Sequence, residues 1–272
     1  MNDIRWHQNG KELADKITRT KPEEGHLLIW PFGQCGFIVK CQSWTVGFDL
    51  VLTDLDGRRL FPPPFPPETD LGLDYLFVSH DHSDHLDKET IVGLIQENPK
   101  LHVLLPKGIE DDHKDWKGEP YRFFSQNDEF CGADIRITAV PMAHETYKTD
   151  RNGDSKCLGY RIESGPWRIF HSGDGLATEK LIEETKAFRP NLLFLPINGR
   201  DKERESRGII GNMSAEEAVD FAKLFPSCMM IPMHHDLFAG NGYDIEAFAR
   251  YAQVQKQRYL IPHLGEMINL TL

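Results

Sequence analysis

Short apolar runs recur along this chain of 272 residues and are separated by polar segments rich in glycine, proline and aspartate. Most of the runs contain β-branched and aromatic residues over about four to eight positions, a pattern typical of strands. The predicted strands cover residues 26–30, 36–41, 46–53, 75–79, 101–105, 135–140, 158–162, 167–171, 192–196 and 229–232.

Three other segments show the spacing and the capping residues of helices. Ile91, Leu94 and Ile95 fall on one face when they are wound into a helix. Ser214 and Glu217 match the capping box, in which each side chain bonds the other residue's backbone N–H. The predicted helices cover residues 87–96, 215–224 and 244–255, and Asp244 can cap the last one.

The order of these elements predicts a mixed α/β (α+β) fold of layered sheets and helices, because strands come first and then alternate with helices in each half. A doubly wound parallel sheet is the weaker alternative, since the chain lacks the glycine fingerprint of dinucleotide-binding folds. With 40% hydrophobic residues the chain can build one core, so residues 1–272 are expected to form a single domain, with two small domains as second choice. The proline-rich segment 61–67 is predicted to be an extended loop near the functional site.

Composition narrows the range of partners. The 31 basic and 42 acidic residues give a net charge of −11, which argues against bulk binding of nucleic acid. Five widely spaced cysteines without a C-x-x-C pair favour a reduced, cytoplasmic setting. The first residues lack an apolar signal region, and no run approaches the length of a membrane span, so we expect a soluble, untargeted protein.

The most informative motif is the run of three histidines and two aspartates at residues 80–85, directly after the predicted strand 75–79. In a loop that leaves a strand, His80 and His82 can face one metal ion while Asp84 and His85 face a second. Imidazole and carboxylate groups together suit Zn²⁺, Mn²⁺ or Fe²⁺. The alternative is a polar loop whose histidines cap the next helix, and the spacing favours the metal site.

A centre with two metals needs more than four ligands, and later strand ends supply candidates. His144 follows one strand, and Asp174 lies in a glycine turn after another, where a carboxylate can bridge two ions. His234 and His235 both follow a third strand, and either can complete the set. The expected sets are His80, His82 and His144 at one metal and Asp84, His85 and one of the last pair at the other, with Asp174 shared.

This pattern resembles the metallo-β-lactamase superfamily, whose signature H-x-H-x-D-H stands at residues 80–85. Segments 30–40, 171–174, 195–200, 211–216 and 231–238 are similar to the L-ascorbate-6-phosphate lactonase group within it. The resemblance implies a four-layer αβ/βα sandwich. It also implies one or two divalent ions per chain, zinc or manganese with iron as an alternative, and these metal ligands: His80, His82, Asp84, His85, His144, Asp174 and His234.

Two metal ions would lower the pKa of a bridging water, so hydrolysis is the expected chemistry. We expect hydroxide to attack a lactone carbonyl or a phosphoryl group, with Asp84 or Asp174 orienting it. The resemblance leaves His235 facing the substrate, where it can stabilise an oxyanion or donate a proton. His171 ends a predicted strand and is expected to be a buried, hydrogen-bonded histidine.

The segment 198–208 holds three arginines and a lysine, and arginine suits phosphate or carboxylate. The alternative is a solvated loop whose cations pair with its own acidic residues. The resemblance favours Arg200 and Asn198 as substrate-binding residues.

We therefore expect a hydrolase of a small anionic metabolite, with a sugar-lactone phosphate as the leading example, and the resemblance allows a homo-oligomer. The alternatives are a phosphodiesterase or nuclease and a non-catalytic metal-binding scaffold. An iron redox enzyme of the flavodiiron kind is disfavoured, because His82 stands where that group has glutamate.

Overall fold

Two mixed β-sheets dominate the computed structural model, which describes residues 5–132, 134–200, 202–206, 208 and 211–272. Arg207, one of the three arginines of segment 198–208, lies outside the described residues. The strands are β1 (Leu27–Gly33), β2 (Gly36–Lys40), β3 (Thr45–Phe48), β4 (Tyr75–Phe77), β5 (His102–Pro106), β6 (Tyr121–Phe124), β7 (Glu129–Cys131), β8 (Arg136–Pro141), β9 (Leu158–Ser164), β10 (Trp167–His171), β11 (Leu192–Pro196), β12 (Met229–Met233) and β13 (Ile268–Leu270). The helices are α1 (Gly10–Arg19), α2 (Lys88–Glu97), α3 (Glu179–Phe188), α4 (Lys202–Ser206), α5 (Ala215–Lys223) and α6 (Ile245–Val254).

Each sheet has an antiparallel half and a parallel half. The first sheet has the order β13-β1-β2-β3-β4-β5-β6 and is parallel from β3 onwards. The second has the order β12-β11-β10-β9-β8-β7, and its β10, β11 and β12 are parallel. The parallel halves bring several strand ends to one rim, which is where loops can converge on a site.

The sheets pack face to face through large aromatic side chains. The rings of Phe37 and Phe194 lie 4.8 Å apart between centroids, and those of Phe77 and Tyr160 lie 4.7 Å apart. All four side chains are fully buried or nearly so. One hydrophobic core therefore fills the space between the two sheets.

Helices cover the outer face of each sheet. Leu13 of α1 and Ile91 of α2 belong to one core cluster with residues of the first sheet. Val219 of α5 and Phe248 of α6 share another with residues of the second sheet. The result is an α/β/β/α sandwich in four layers, so the predicted fold class is confirmed.

The helix caps form as the sequence predicts. The Ser214 hydroxyl accepts the Glu217 N–H at 3.2 Å, and the Glu217 carboxylate accepts the Ser214 N–H at 3.0 Å. Asp244 accepts the Glu246 N–H at 3.0 Å. Each cap satisfies a backbone donor that the first turn of a helix leaves unpaired.

All ten predicted strands are present, but the prediction of a strand at 46–53 is wrong in length. β3 ends at Phe48 because Asp49 has a φ of 41°, a left-handed conformation that cannot continue a strand. The Asp49 side chain turns instead toward the loop after β4, where it accepts the Ser79 N–H at 2.7 Å.

The proline-rich segment 61–67 is an extended loop, as predicted. Its two phenylalanines are buried within the chain. Phe61 packs edge-on against Trp6 with 5.8 Å between ring centroids, and Phe65 packs against Phe32 at 5.7 Å. No helix among the described residues is long and apolar enough to cross a bilayer.

Candidate metal centre

The carboxyl ends of five strands converge at one rim of the sandwich and carry most of the predicted site. Asp49 follows β3, the run 80–85 follows β4, His144 follows β8, Asp174 follows β10, and His234 follows β12. A cavity of about 200 Å³ lies at this rim and is lined by side chains from all of these segments except Asp49. Predicted ligands line one part of it and potential hydrogen-bond donors line another: Asn198, Arg200, Arg204, Asn212 and Asn241.

One group of candidate ligands consists of His80, His82, His144 and Asp174, whose nearest ligand atoms all lie within 4.8 Å of one another. His144 Nε2 is 3.3 Å from His82 Nδ1. Asp174 Oδ2 is 4.0 Å from His80 Nε2 and 3.9 Å from His144 Nε2. These spacings fit donor atoms that could share one cation.

The second group consists of Asp84, His85 and His234. Asp84 Oδ2 lies 3.6 Å from His85 Nε2 and 3.5 Å from His234 Nε2. Asp174 Oδ2 lies 3.5 Å and 3.2 Å from the same two nitrogens. One carboxylate oxygen of Asp174 is therefore close to four histidines, two from each group.

Hydrogen bonds fix which nitrogen of each ring can bind a cation. His85 Nδ1 contacts Asp49 Oδ2 at 2.8 Å, and His144 Nδ1 contacts the Gly211 carbonyl at 2.8 Å. Both partners only accept, so each ring carries a proton on Nδ1, and Nε2 is the atom that can bind a cation. A side chain at position 211 would collide with the His144 ring, so this close approach needs glycine.

His80 is oriented through a relay. Its Nδ1 lies 2.9 Å from Ser79 Oγ, and the Ser79 hydroxyl donates to Asp49 Oδ2 at 2.7 Å. Because the hydroxyl hydrogen is used on Asp49, the hydroxyl accepts the proton of His80 Nδ1. The Nε2 atom of His80 is again left with a free lone pair.

Two buried nitrogens test whether these residues suit a metal ion. His80 Nε2 and His85 Nε2 are buried and have no hydrogen-bond partner among the described residues. A buried polar atom without a partner carries an energy penalty of about 1–3 kcal/mol. A divalent cation beside Asp174 would satisfy both lone pairs, so the donor set fits a metal centre.

Burial and the two carboxylates shift the pKa values of the site's histidines in opposite directions in the absence of an ion. Burial holds the pKa of His80 well below its usual value and also lowers the pKa of His82, so both rings are neutral. Burial also lowers the pKa of His234, but the charges of Asp174 and Asp84 outweigh it and raise that pKa to about 9. The pKa of His85 is raised well above its usual value in the same way.

Sequence reasoning missed Asp49, which is 2% exposed and holds Ser79 and His85 in place. The available signal was an acidic residue inside the apolar run 46–53. It also missed Gln34 and Cys35 in the turn between β1 and β2. Gln34 Nε2 donates to Asp84 Oδ2 at 2.6 Å, and Cys35 Sγ donates to Asp174 Oδ1 at 3.7 Å.

Strained backbone conformations collect around the cavity. A positive φ in a residue other than glycine is uncommon, and it persists where the surrounding structure enforces it. Five such residues hold or flank the site: Gln34, Asp49, Glu145, Arg200 and His234.

The structure brings all seven predicted metal ligands together and places the remaining predicted residues as follows. Asn198 and Arg200 line the cavity, and Arg200 Nε donates to Glu217 Oε2 at 3.1 Å. His235 lines a neighbouring cavity with Phe238 and Tyr243 instead. His171 is fully buried, and its Nε2 donates to the Cys35 carbonyl at 3.0 Å, which confirms its predicted structural character.

A four-layer sandwich with a cluster of histidines and aspartates at its rim is typical of a class of metal-binding proteins. Comparison with known proteins identifies the family. The model of the beta-lactamase superfamily domain matches residues 47–235. The chain therefore belongs to the beta-lactamase superfamily, as its sequence predicts.

The relatives have low sequence identity to this chain but match most of its length. A metal-dependent hydrolase of Methanoculleus marisnigri is 24% identical over 199 residues, which cover 71% of this chain and 81% of the relative. Among solved structures, an isothiocyanate hydrolase from Delia radicum gut bacteria matches with a TM-score of 0.70 at 16% identity, covering 90% of this chain and all of the other. The metallo hydrolase Igni18 of Ignicoccus hospitalis matches with a TM-score of 0.69 at 17% identity, covering 91% and 99%. At these identities the two structures show the shared fold.

Proposed function

We propose that this protein hydrolyses a small anionic metabolite at a centre of two metal ions. As a member of the superfamily with hydrolase relatives, the chain is a metal-dependent hydrolase. The observation that carries the proposal is the position of Asp174 Oδ2, which lies within 4.0 Å of a histidine nitrogen from each of two ligand groups. A carboxylate in this position suits a bridge between two ions.

In this proposal His80, His82 and His144 hold one ion, and Asp84, His85 and His234 hold the other. When bound, the pair would supply a water of lowered pKa and polarise the oxygen of the scissile bond. Zinc and manganese are the proposed metals, with iron as an alternative, because the donors are imidazoles and carboxylates.

The chain's own residues would position the reactants. Gln34 donates to Asp84 and so fixes a carboxylate that lines the cavity and can orient the attacking water. Asn198 and Arg200 line the same cavity and would bind an anionic group of the substrate. His235 as an acid toward the leaving group would require substrate to reach the neighbouring cavity.

A sugar-lactone phosphate is the proposed substrate. Its support is the resemblance of several segments to the L-ascorbate-6-phosphate lactonase group, together with a small cavity that carries arginine and asparagine side chains. The cytoplasm is the proposed setting, supported by five free thiols. A homo-oligomer is proposed from the resemblance, and light scattering in solution tests it.

The test is a panel of lactone phosphates, phosphomonoesters and phosphodiesters, each assayed after loading with Zn²⁺, Mn²⁺ or Fe²⁺. We expect turnover of a phosphorylated lactone and about two ions per chain by elemental analysis. Cleavage of phosphodiesters alone would favour the phosphodiesterase alternative. Two bound ions without turnover in any assay would favour a scaffold, and fewer than about one ion per chain would contradict the metal centre.

Asp174→Ala is the matched variant for this test. Loss of the shared carboxylate is expected to reduce both metal content and turnover. Glu163→Ala, which removes a carboxylate of β9 outside the cavity, should change neither.

A further inference from the structure

Three asparagines in the cavity wall are joined by their side-chain amides. Asn212 Nδ2 donates to Asn198 Oδ1 at 2.9 Å, and Asn198 Nδ2 donates to Asn241 Oδ1 at 3.1 Å. Asn198 and Asn212 are each only 4% exposed. All three line the cavity that holds the predicted ligands, and together they are called the asparagine chain.

The direction of the asparagine chain is set by a backbone group. The Gly175 N–H donates to Asn212 Oδ1 at 2.9 Å, and a backbone N–H can only donate. Asn212 must therefore turn its oxygen toward Gly175 and its nitrogen toward Asn198. Rotating any one amide by half a turn would put two donors or two acceptors face to face.

Backbone hydrogen bonds hold Asn212 beside Gly175. Gly175 follows the candidate bridging residue Asp174, and its carbonyl accepts the Met213 N–H at 3.0 Å. The Gly199 N–H in turn donates to the Met213 carbonyl at 2.9 Å. These bonds hold the segments around Asn198 and Asn212 beside the turn of Asp174.

In this direction each amide oxygen accepts one bond, and the unused hydrogens lie on the amide nitrogens. Each of the three Oδ1 atoms accepts a bond within the asparagine chain or from Gly175. Each amide nitrogen has two hydrogens, and Asn198 Nδ2 also donates to the Asn241 backbone carbonyl at 3.4 Å. One hydrogen on Asn212 and both on Asn241 therefore lie outside these bonds. Arg200 and Arg204 line the same cavity and carry donors only.

We propose that the asparagine chain acts as a donor wall. Its unused amide hydrogens bind an anionic group of the substrate, a phosphate or a carboxylate, that is separate from the bond that is cleaved. The inference rests on the proposed function, because it assigns that cavity to the substrate. Asn212 and Asn241 thereby join Asn198 as determinants of specificity.

The experiment measures binding of two probes, inorganic phosphate and succinate, to the metal-loaded protein by calorimetry. Asn241→Leu keeps the size of the side chain, removes the donors and adds no charge. We expect it to weaken binding of at least one probe by about tenfold or more, the usual effect of a lost bond to a charged group. Asn241→Gln, which restores the donors, should recover most of that loss.

Asn212→Leu tests whether the bond to Gly175 sets the direction of the asparagine chain. It removes the anchor on Gly175 and frees the Asn198 amide to turn, so binding should weaken although residue 241 is unchanged. The double variant should lose less than the product of the two single losses, because both changes act on one hydrogen-bonded unit. Asn152→Leu, at an exposed turn, is the control and should leave binding unchanged.

The proposal is contradicted if neither probe binds the native protein, or if Asn241→Leu binds both as tightly as the control does. Metal content is measured for every variant, and it should stay at the native level because these asparagines are not candidate ligands. The titrations need no turnover. Absence of hydrolysis in the panel would refute the proposed function alone, and hydrolysis with unaltered probe binding would refute the donor wall alone.

Discussion

Asp49 does not line the cavity, yet it orients two of the predicted metal ligands. It accepts from His85 directly and reaches His80 through the Ser79 hydroxyl. Such partners decide which ring nitrogen is free, and their loss commonly lowers metal affinity. The chemistry of the site therefore depends on a residue that the motif at 80–85 does not contain.

Asp49→Asn is expected to lower metal affinity by about 10- to 100-fold. Asparagine can still accept the Ser79 N–H through its oxygen. Its amide nitrogen, however, would face the Ser79 hydroxyl and His85 Nδ1, which both donate to Asp49 Oδ2 in the native protein. Competition with a chromogenic chelator measures the affinity. Asp74→Asn, which changes an acceptor for the Thr45 N–H at the far end of β3, is the control, and an equal loss there would refute the role of Asp49.

A single buried histidine, His171, makes the stability of the fold depend on pH. Burial lowers its pKa to about 4, against about 6.5 in an unfolded chain, while its ring stacks on Phe48 with 4.4 Å between centroids. The folded protein favours the neutral ring, so the contribution of His171 to the unfolding free energy is complete above pH 6.5. It is lost as the pH falls toward 4, by about 3 kcal/mol in all.

Urea titrations of the metal-free protein between pH 7 and pH 4 test this expectation. The unfolding free energy should fall less steeply with pH in His171→Phe than in the native protein. Equal slopes in the two proteins would show that His171 is not responsible.

At the scale of elements, the capping box of α5 supports both the helix and the cavity rim. Ser214 starts the helix, and Glu217, which completes the box, also accepts from Arg200. A helix that begins at this position therefore places a candidate substrate-binding arginine.

Ser214→Ala should lower the unfolding free energy by about 1 kcal/mol, because the first turn of α5 loses an acceptor. Chemical denaturation gives the value. Thr178→Ala removes the equivalent cap of α3, where the hydroxyl accepts the Leu181 N–H at 3.2 Å, and should have a similar effect. No change in Ser214→Ala would mean that packing against the second sheet alone fixes α5.

Elements with strong local signals were predictable, and weakly marked ones were not. The strand at 167–171 and the helix at 215–224 carry dense apolar runs or paired capping residues. Helices α1, α3 and α4 and the short β6, β7 and β13 were missed. β13 has only three residues and is stabilised by pairing with β1, a contact distant in sequence.

At the scale of the whole molecule, the candidate metal centre lies where the two sheets meet. The run 80–85 comes from the first sheet, whereas His144, Asp174 and His234 come from the second. Bound ions would therefore tie together the two halves of the fold, and their binding free energy would add to its stability.

Removing metal with a chelator should lower the melting temperature, and adding it back should restore the native value. At free metal roughly 100 to 1,000 times the Kd, the gain is about 3 to 4 kcal/mol. Differential scanning calorimetry measures it. Asp174→Ala should melt at a temperature that no longer responds to metal, and an unchanged response would contradict the central place of this carboxylate.

The sequence by itself determined the strands, the capped helices and the identity of the candidate ligands, because these depend on local pattern and on the chemistry of each side chain. Only the tertiary structure decided that Asp49 orients the histidines, that His235 faces another cavity and that Gly175 sets the direction of the asparagine chain. Each of these depends on contacts between segments far apart in sequence. No local pattern encodes such contacts, since they arise only when the two sheets pack.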